Sequence, residues 1–135
     1  RSLAQLILAD NEIADVGGND PDNRRMMRFD NWNESEKWLW EMTRDWIALR
    51  KSRMSLMYGQ CHYHLNNDAP GVLAIERAYL DEKTLILINT SETVQSYPIP
   101  GNCNGSILLG DAAMEDAAIA ISAGSCAAIQ LHPNP

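Results

Sequence analysis

The chain has 135 residues, 45% apolar and 21% charged, the composition of one ordinary globular domain with a real core. Its 18 acidic against 11 basic residues give a formal charge of -7, which excludes the clustered Lys and Arg of a nucleic-acid surface. No apolar run approaches the roughly 20 residues that span a bilayer, and Arg1 to Asp10 lacks the ordered parts of a signal peptide, so no membrane or targeting segment is expected.

Taken in chain order, Leu3 to Ala9 is short and almost continuously apolar, which suits either a strand buried on both faces or a buried helical turn. From about Glu12 to Trp32 the turn formers crowd together, most densely at Gly17-Gly18-Asn19-Asp20-Pro21-Asp22-Asn23, and a surface loop is expected. Asn33 with Glu36 three residues later forms a capping-box signature, so a helix should begin there. Trp38, Met42, Trp46, Leu49 and Arg53 follow at spacings of three or four, which predicts one amphipathic helix over about Glu34 to Ser52.

Beyond the helix the pattern changes to short segments rich in Val, Ile, Leu and Tyr, separated by Asn, Asp, Gly and Pro. Strands are expected over Cys61 to Leu65, Gly71 to Tyr79, Lys83 to Asn89, Thr93 to Ile99, Ser106 to Leu109, Ala117 to Ile121 and Ser125 to Leu131. Short turns join them, whereas parallel crossovers need a dozen or more residues, so the sheet must be antiparallel. The expected fold is mainly β: an antiparallel Greek-key sandwich preceded by one helix and a loop.

Several side chains could carry chemistry. His62 and His64 lie two apart on a strand, hence on one face, and read either as two metal ligands lacking a third at a recognisable spacing or as a solvent-facing pair. Trp32, Trp38, Trp40 and Trp46 read as core by their helical spacing, with a sugar-stacking platform as the other reading. Cys61, Cys103 and Cys126 are odd in number and widely spaced, so no disulfide framework or metal knuckle is visible and the redox compartment stays open. Cys103 sits in an expected turn, without a basic neighbour to activate it. Neither a cofactor nor a metal is implied.

The stretch Val16-Gly17-Gly18-Asn19-Asp20-Pro21-Asp22-Asn23-Arg24-Arg25 resembles the loop after the eighth barrel strand in glycoside hydrolase family 13, in its neopullulanase, maltogenic amylase and cyclodextrin glucanotransferase branch. The helix end Trp46-Ile47-Ala48-Leu49-Arg50-Lys51 is similar to that family's last barrel helix. Tyr58-Gly59, Asn67-Asp68, Val72 to Arg77 and Leu85 to Asn89 are similar to the opening strands of its C-terminal Greek-key domain. Before the loop the chain departs from the family pattern, reading Leu8-Ala9-Asp10-Asn11-Glu12 with only Glu12 and Ile13 in agreement.

The resemblance implies a barrel-end remnant over residues 1–52 and a C-terminal β-sandwich over 53–135. It implies that the family's nucleophile, acid/base and transition-state carboxylates all precede residue 1, so no catalytic residue is expected here. Asp20 and Arg24 match the family positions that hydrogen-bond a glucose unit, a carboxylate accepting from and a guanidinium donating to adjacent hydroxyls; the plainer reading has Asp20 and Asp22 capping a turn and pairing with Arg24 and Arg25. The implied partner is an α-glucan or maltooligosaccharide met through a parent glycosidase, cytoplasmic or exported. The alternative is a non-catalytic carbohydrate-binding or interaction module. Without barrel partners, residues 1 to about 30 are expected to pack irregularly or to pair with a second copy, giving a homodimer.

Overall fold

The computed structural model describes residues 29–64, 69–101 and 103–133. The chain divides into two compact units, Arg1–Ala48 and Leu49–Pro135. The expected strand or helical turn at Leu3 to Ala9, the Gly17 to Arg25 loop and the predicted packing of the first thirty residues fall on positions outside the described residues, Phe29 and Asp30 excepted.

Helix α1 runs Glu34–Ser52, with the bounds expected from its pattern. Its start is closed by the predicted reciprocal pair: the Glu36 amide donates to Asn33 Oδ1 at 3.0 Å, and the Asn33 amide donates to Glu36 Oε2 at 2.6 Å. Leu39, Met42, Trp46 and Leu49, spaced three and four apart, form its half-buried stripe. Acidic Glu34 and Glu36 stand in the first turn and basic Arg50 and Lys51 in the last, each complementing the helix dipole.

A second, five-residue helix that no pattern announced, α2 (Met54–Tyr58), follows at once. Eight strands come next: β1 (Gln60–His64), β2 (Val72–Tyr79), β3 (Glu82–Asn89), β4 (Gln95–Pro98), β5 (Cys103–Gly110), β6 (Ala112–Met114), β7 (Ala118–Ile121) and β8 (Cys126–Pro133). Strand β6 is the one absent from the expected set, because Ala112-Ala113-Met114 is too short to show alternation. The strands form a five-stranded sheet in the order β1-β2-β3-β8-β5 and a three-stranded sheet in the order β4-β7-β6. Among the described residues every pairing is antiparallel, and β8 returns to lie between β3 and β5.

Side chains alternate across each strand, so one set from each sheet meets in the core. Ala74, Leu85, Leu87, Ala127, Ile129 and Leu131 come from the larger sheet, and Tyr97, Ile119 and Ile121 from the smaller; all are buried in one cluster. Each fully buried Leu or Ile contributes about 1.5–3 kcal/mol, so this set is the main stabilising term of the sandwich. Backbone geometry follows the turns. Leu80 takes φ 49 in the two-residue connection between β2 and β3, and Gly110 takes φ 103 where an added Cβ would collide with the Cys126 carbonyl.

Candidate functional site

Asp20 and Arg24, the two residues expected to touch sugar, lie outside the described residues. What is described is the helix start that follows them in the chain. There the Trp32 and Trp40 rings meet at 5.8 Å with a 45° tilt, and the Arg44 guanidinium stands 5.0 Å from the centre of the Trp40 ring. Trp38 and Trp40 are exposed, at 51% and 42%, and Trp32 and Trp46 are half-buried. The expectation that helical spacing would carry all four into a core therefore fails for Trp38 and Trp40. Trp40 and Arg44 are four apart and lie about a third of a turn or more from the Leu39-Met42-Trp46-Leu49 stripe.

The buried and half-buried carboxylates among the described residues are all engaged by neighbours. Glu36 closes the helix cap. On β2, Glu76 Oε2 lies within hydrogen-bond distance of His64 Nε2, at 3.0 Å, and its Oε1 approaches Lys83 Nζ at 3.8 Å. Glu82 Oε1 receives the Ser55 amide at 2.7 Å, at the start of α2. Burial alone would raise the Glu82 carboxyl, but the hydrogen bonds from Ser55 and the charge of Arg53 outweigh it and hold the group below its ordinary range. Glycosidic cleavage needs two carboxyl groups facing one sugar, one to attack and one to protonate. Carboxylates tied to a cap, a histidine and a helix amide have no such freedom.

The two histidines also separate. His62 is exposed, while His64 is partly buried and bonded to Glu76, so the pair is not simply solvent-facing. Among the described residues, no three His, Cys, Asp or Glu side chains gather as metal ligands would. Cys103 opens strand β5, packed against the core, and is not in a turn. Cys126 on β8 has its thiol pushed up by burial, the direction of an inert group. Among the described residues, no helix is long and apolar enough to cross a membrane.

Pattern reading missed the polar network that seats α2 on the outer face of the larger sheet. Ser55 Oγ and Thr84 Oγ1 share a buried hydrogen bond at 2.8 Å, Arg77 donates to the Ser55 and Leu56 carbonyls, and Arg53 Nη1 donates to Gln130 Oε1 at 2.9 Å. Gln130 in turn donates to the Lys83 carbonyl at 3.1 Å. The available signal was two polar residues, Thr84 and Gln130, inside otherwise apolar strands, where a buried polar group requires a partner.

With this architecture in view, the chain can be set beside known proteins. No family model matches the sequence. A cyclomaltodextrinase from Geobacillus thermopakistaniensis is 31% identical over 98 residues, covering 73% of this chain and 16% of that protein. An α-amylase from Geobacillus thermoleovorans, solved in complex with acarbose, superposes with a TM-score of 0.69 at 26% identity, covering 92% of this chain and 28% of that one. The chain belongs to the α-amylase family, glycoside hydrolase family 13, and matches a C-terminal part of it.

An Anoxybacillus α-amylase agrees, with a TM-score of 0.68 at 27% identity over 91% of this chain and 28% of its own. The mainly β, antiparallel architecture is that of the α-amylase family's C-terminal β domain. The chain thus spans about a sixth of the cyclomaltodextrinase and little more than a quarter of either α-amylase.

Proposed function

We propose that this chain is the non-catalytic C-terminal portion of a glycosidase acting on α-glucans, contributing a substrate-side loop and a stabilising β domain. The observation that carries the reading is the family membership, because the similarity runs through most of the chain, 92% of it in one α-amylase. The printed names of the relatives, a cyclomaltodextrinase and an α-amylase bound to acarbose, support an α-glucan as the substrate class of the parent. In this reading residues 1–52 end the barrel and 53–135 form the sandwich. Asp20 and Arg24 then hold a glucose unit beside the cleavage point, since loops after the last strands of such a barrel open on its substrate face.

The stabilising role is supported by an apolar stripe on the outer face of the five-stranded sheet. Leu73 stands in register with Ile88, and Ile75 with Ile86, which is followed across β8 by Ala128. Leu73 is 43% exposed, so this stripe presents apolar surface that further chain of the parent would cover in the proposed reading.

Two measurements test the reading. In the full-length parent, Asp20→Ala or Arg24→Ala is expected to raise KM for maltooligosaccharides about 10- to 100-fold, from the loss of one charged hydrogen-bonding group. Unchanged KM in both variants would reject the loop assignment. Calorimetric titration of this chain alone with the same sugars should give no tight saturable binding; tight binding would favour a carbohydrate-binding module instead.

A further inference from the structure

The Tyr58 ring, at the end of α2, and the Tyr79 ring, at the end of β2, have centroids 6.2 Å apart and planes tilted by 50°. Tyr58 is 65% exposed and Tyr79 half-buried. The chain beside them holds the pair in place. Gly59 passes so close to the Ser55 and Ala78 carbonyls that an added Cβ would collide with both, and its amide donates to the Ser55 carbonyl at 2.9 Å. Ser55 is itself fixed by Glu82, Thr84 and Arg77, so α2 carries Tyr58 away only by breaking that network.

Register sets the pair apart from the apolar stripe. Along β2 the outer-face positions run Leu73, Ile75, Arg77 and Tyr79, partnered on β3 by Ile88, Ile86, Thr84 and Glu82. Helix α2 is bonded to the row of Arg77 and Thr84. Tyr79 lies beyond that row and the stripe lies before it, so chain that covers the stripe need not cover the tyrosines.

Shape and charge select the ligand. An exposed aromatic ring stacks on the apolar C–H face of a pyranose, and a phenol hydroxyl adds a donor and an acceptor for the sugar's hydroxyls. Successive units of an α-linked glucan turn relative to one another, whereas a β-1,4-linked chain is a flat ribbon, so two rings tilted by 50° suit the curved chain. A glucan is neutral, and the net charge of -7 does not oppose its approach.

We propose that Tyr58 and Tyr79 form a stacking site for an α-linked glucan, one pyranose ring on each. The ligand class rests on the reading of the parent given above, while the site uses neither Asp20 nor Arg24.

An NMR titration of the full 135-residue chain with maltoheptaose tests this. Amide shifts should gather around Tyr58 and Tyr79 with a Kd on the order of 1 mM, weak enough to leave calorimetry without tight saturation. Tyr58→Ala should weaken binding about 10-fold, and Tyr58→Trp, which restores an aromatic face, should keep it. Cellohexaose, β-linked and flat, should bind about 10-fold more weakly than maltoheptaose. No shift at either tyrosine, shifts unchanged in Tyr58→Ala, equal binding of cellohexaose, or shifts lost in Asp20→Ala or Trp40→Ala instead would each overturn the assignment. A full-length parent that cleaves maltooligosaccharides while the tyrosines stay silent overturns this site alone; a parent that leaves them uncleaved overturns the α-glucan reading on which the ligand class rests.

Discussion

Asn89 ends β3 with its side chain buried and fully occupied. Its Nδ2 donates to the carbonyls of Thr93, Ile121 and Ser122 at 2.8, 3.2 and 3.0 Å, and its Oδ1 accepts from the Ser91 amide and hydroxyl at 2.9 and 2.7 Å. One amide therefore ties the larger sheet to the end of β7 in the smaller one. Asn89→Ala removes the amide from all three carbonyls, leaving those of Thr93 and Ser122 only the Ser91 and Ser125 hydroxyls, and should cost about 2 kcal/mol, read as a lower urea midpoint at unchanged slope. Leu80 presents the opposite case. At φ 49 and 86% exposed, it holds a strained conformation without a burial gain. Leu80→Gly should raise stability by about 0.5–1 kcal/mol, visible as an increase in melting temperature.

Helix α1 shows how far a local signature reaches. Its cap needs only Asn33 and Glu36, three residues apart, and the two hydrogen-bond each other reciprocally. Asn33→Ala should cost about 1 kcal/mol, seen as an earlier loss of helical signal on heating. Helix α2 depends on partners far away in sequence, and Glu82 is the one that titrates. Its folded carboxyl lies below the ordinary value of 4.5. The stabilisation it gives is thus fully present above that value and is lost as the pH falls through the lowered one. Glu82→Gln should flatten this part of the stability profile, so that the urea midpoints of variant and wild type converge in acid. A constant difference at every pH would contradict the assignment.

At the scale of the whole molecule, a protein this acidic has few places where a second copy or a covering segment can approach without repulsion. The outer face of the larger sheet, where Leu73 and Ile75 stand in register with Ile88 and Ile86, is of that kind. In the proposed reading, that face offers its apolar side chains to further chain of the parent. The chain alone should show no hydrolysis of maltooligosaccharides, measured as the absence of released reducing sugar, since the buried and half-buried carboxylates among the described residues serve structure.

Wherever the determining interactions were local, the sequence by itself was sufficient. The bounds of α1, its cap and seven of the strands follow from periodicity and turn formers that act within a few residues. The family too could be read from contiguous phrases, Gly17 to Arg25 and Ile47 to Lys51, which need no geometry. The tertiary structure alone decided which sheet each strand joins, that β8 inserts between β3 and β5, and that Cys103 lies in a strand. It likewise separated His64 from His62, by setting Glu76 beside it from a neighbouring strand. It also left Trp38 and Trp40 exposed, because a 3.6-residue period marks an apolar stripe but not the partner that would cover it. These outcomes depend on pairings between residues tens of positions apart, which no local pattern encodes.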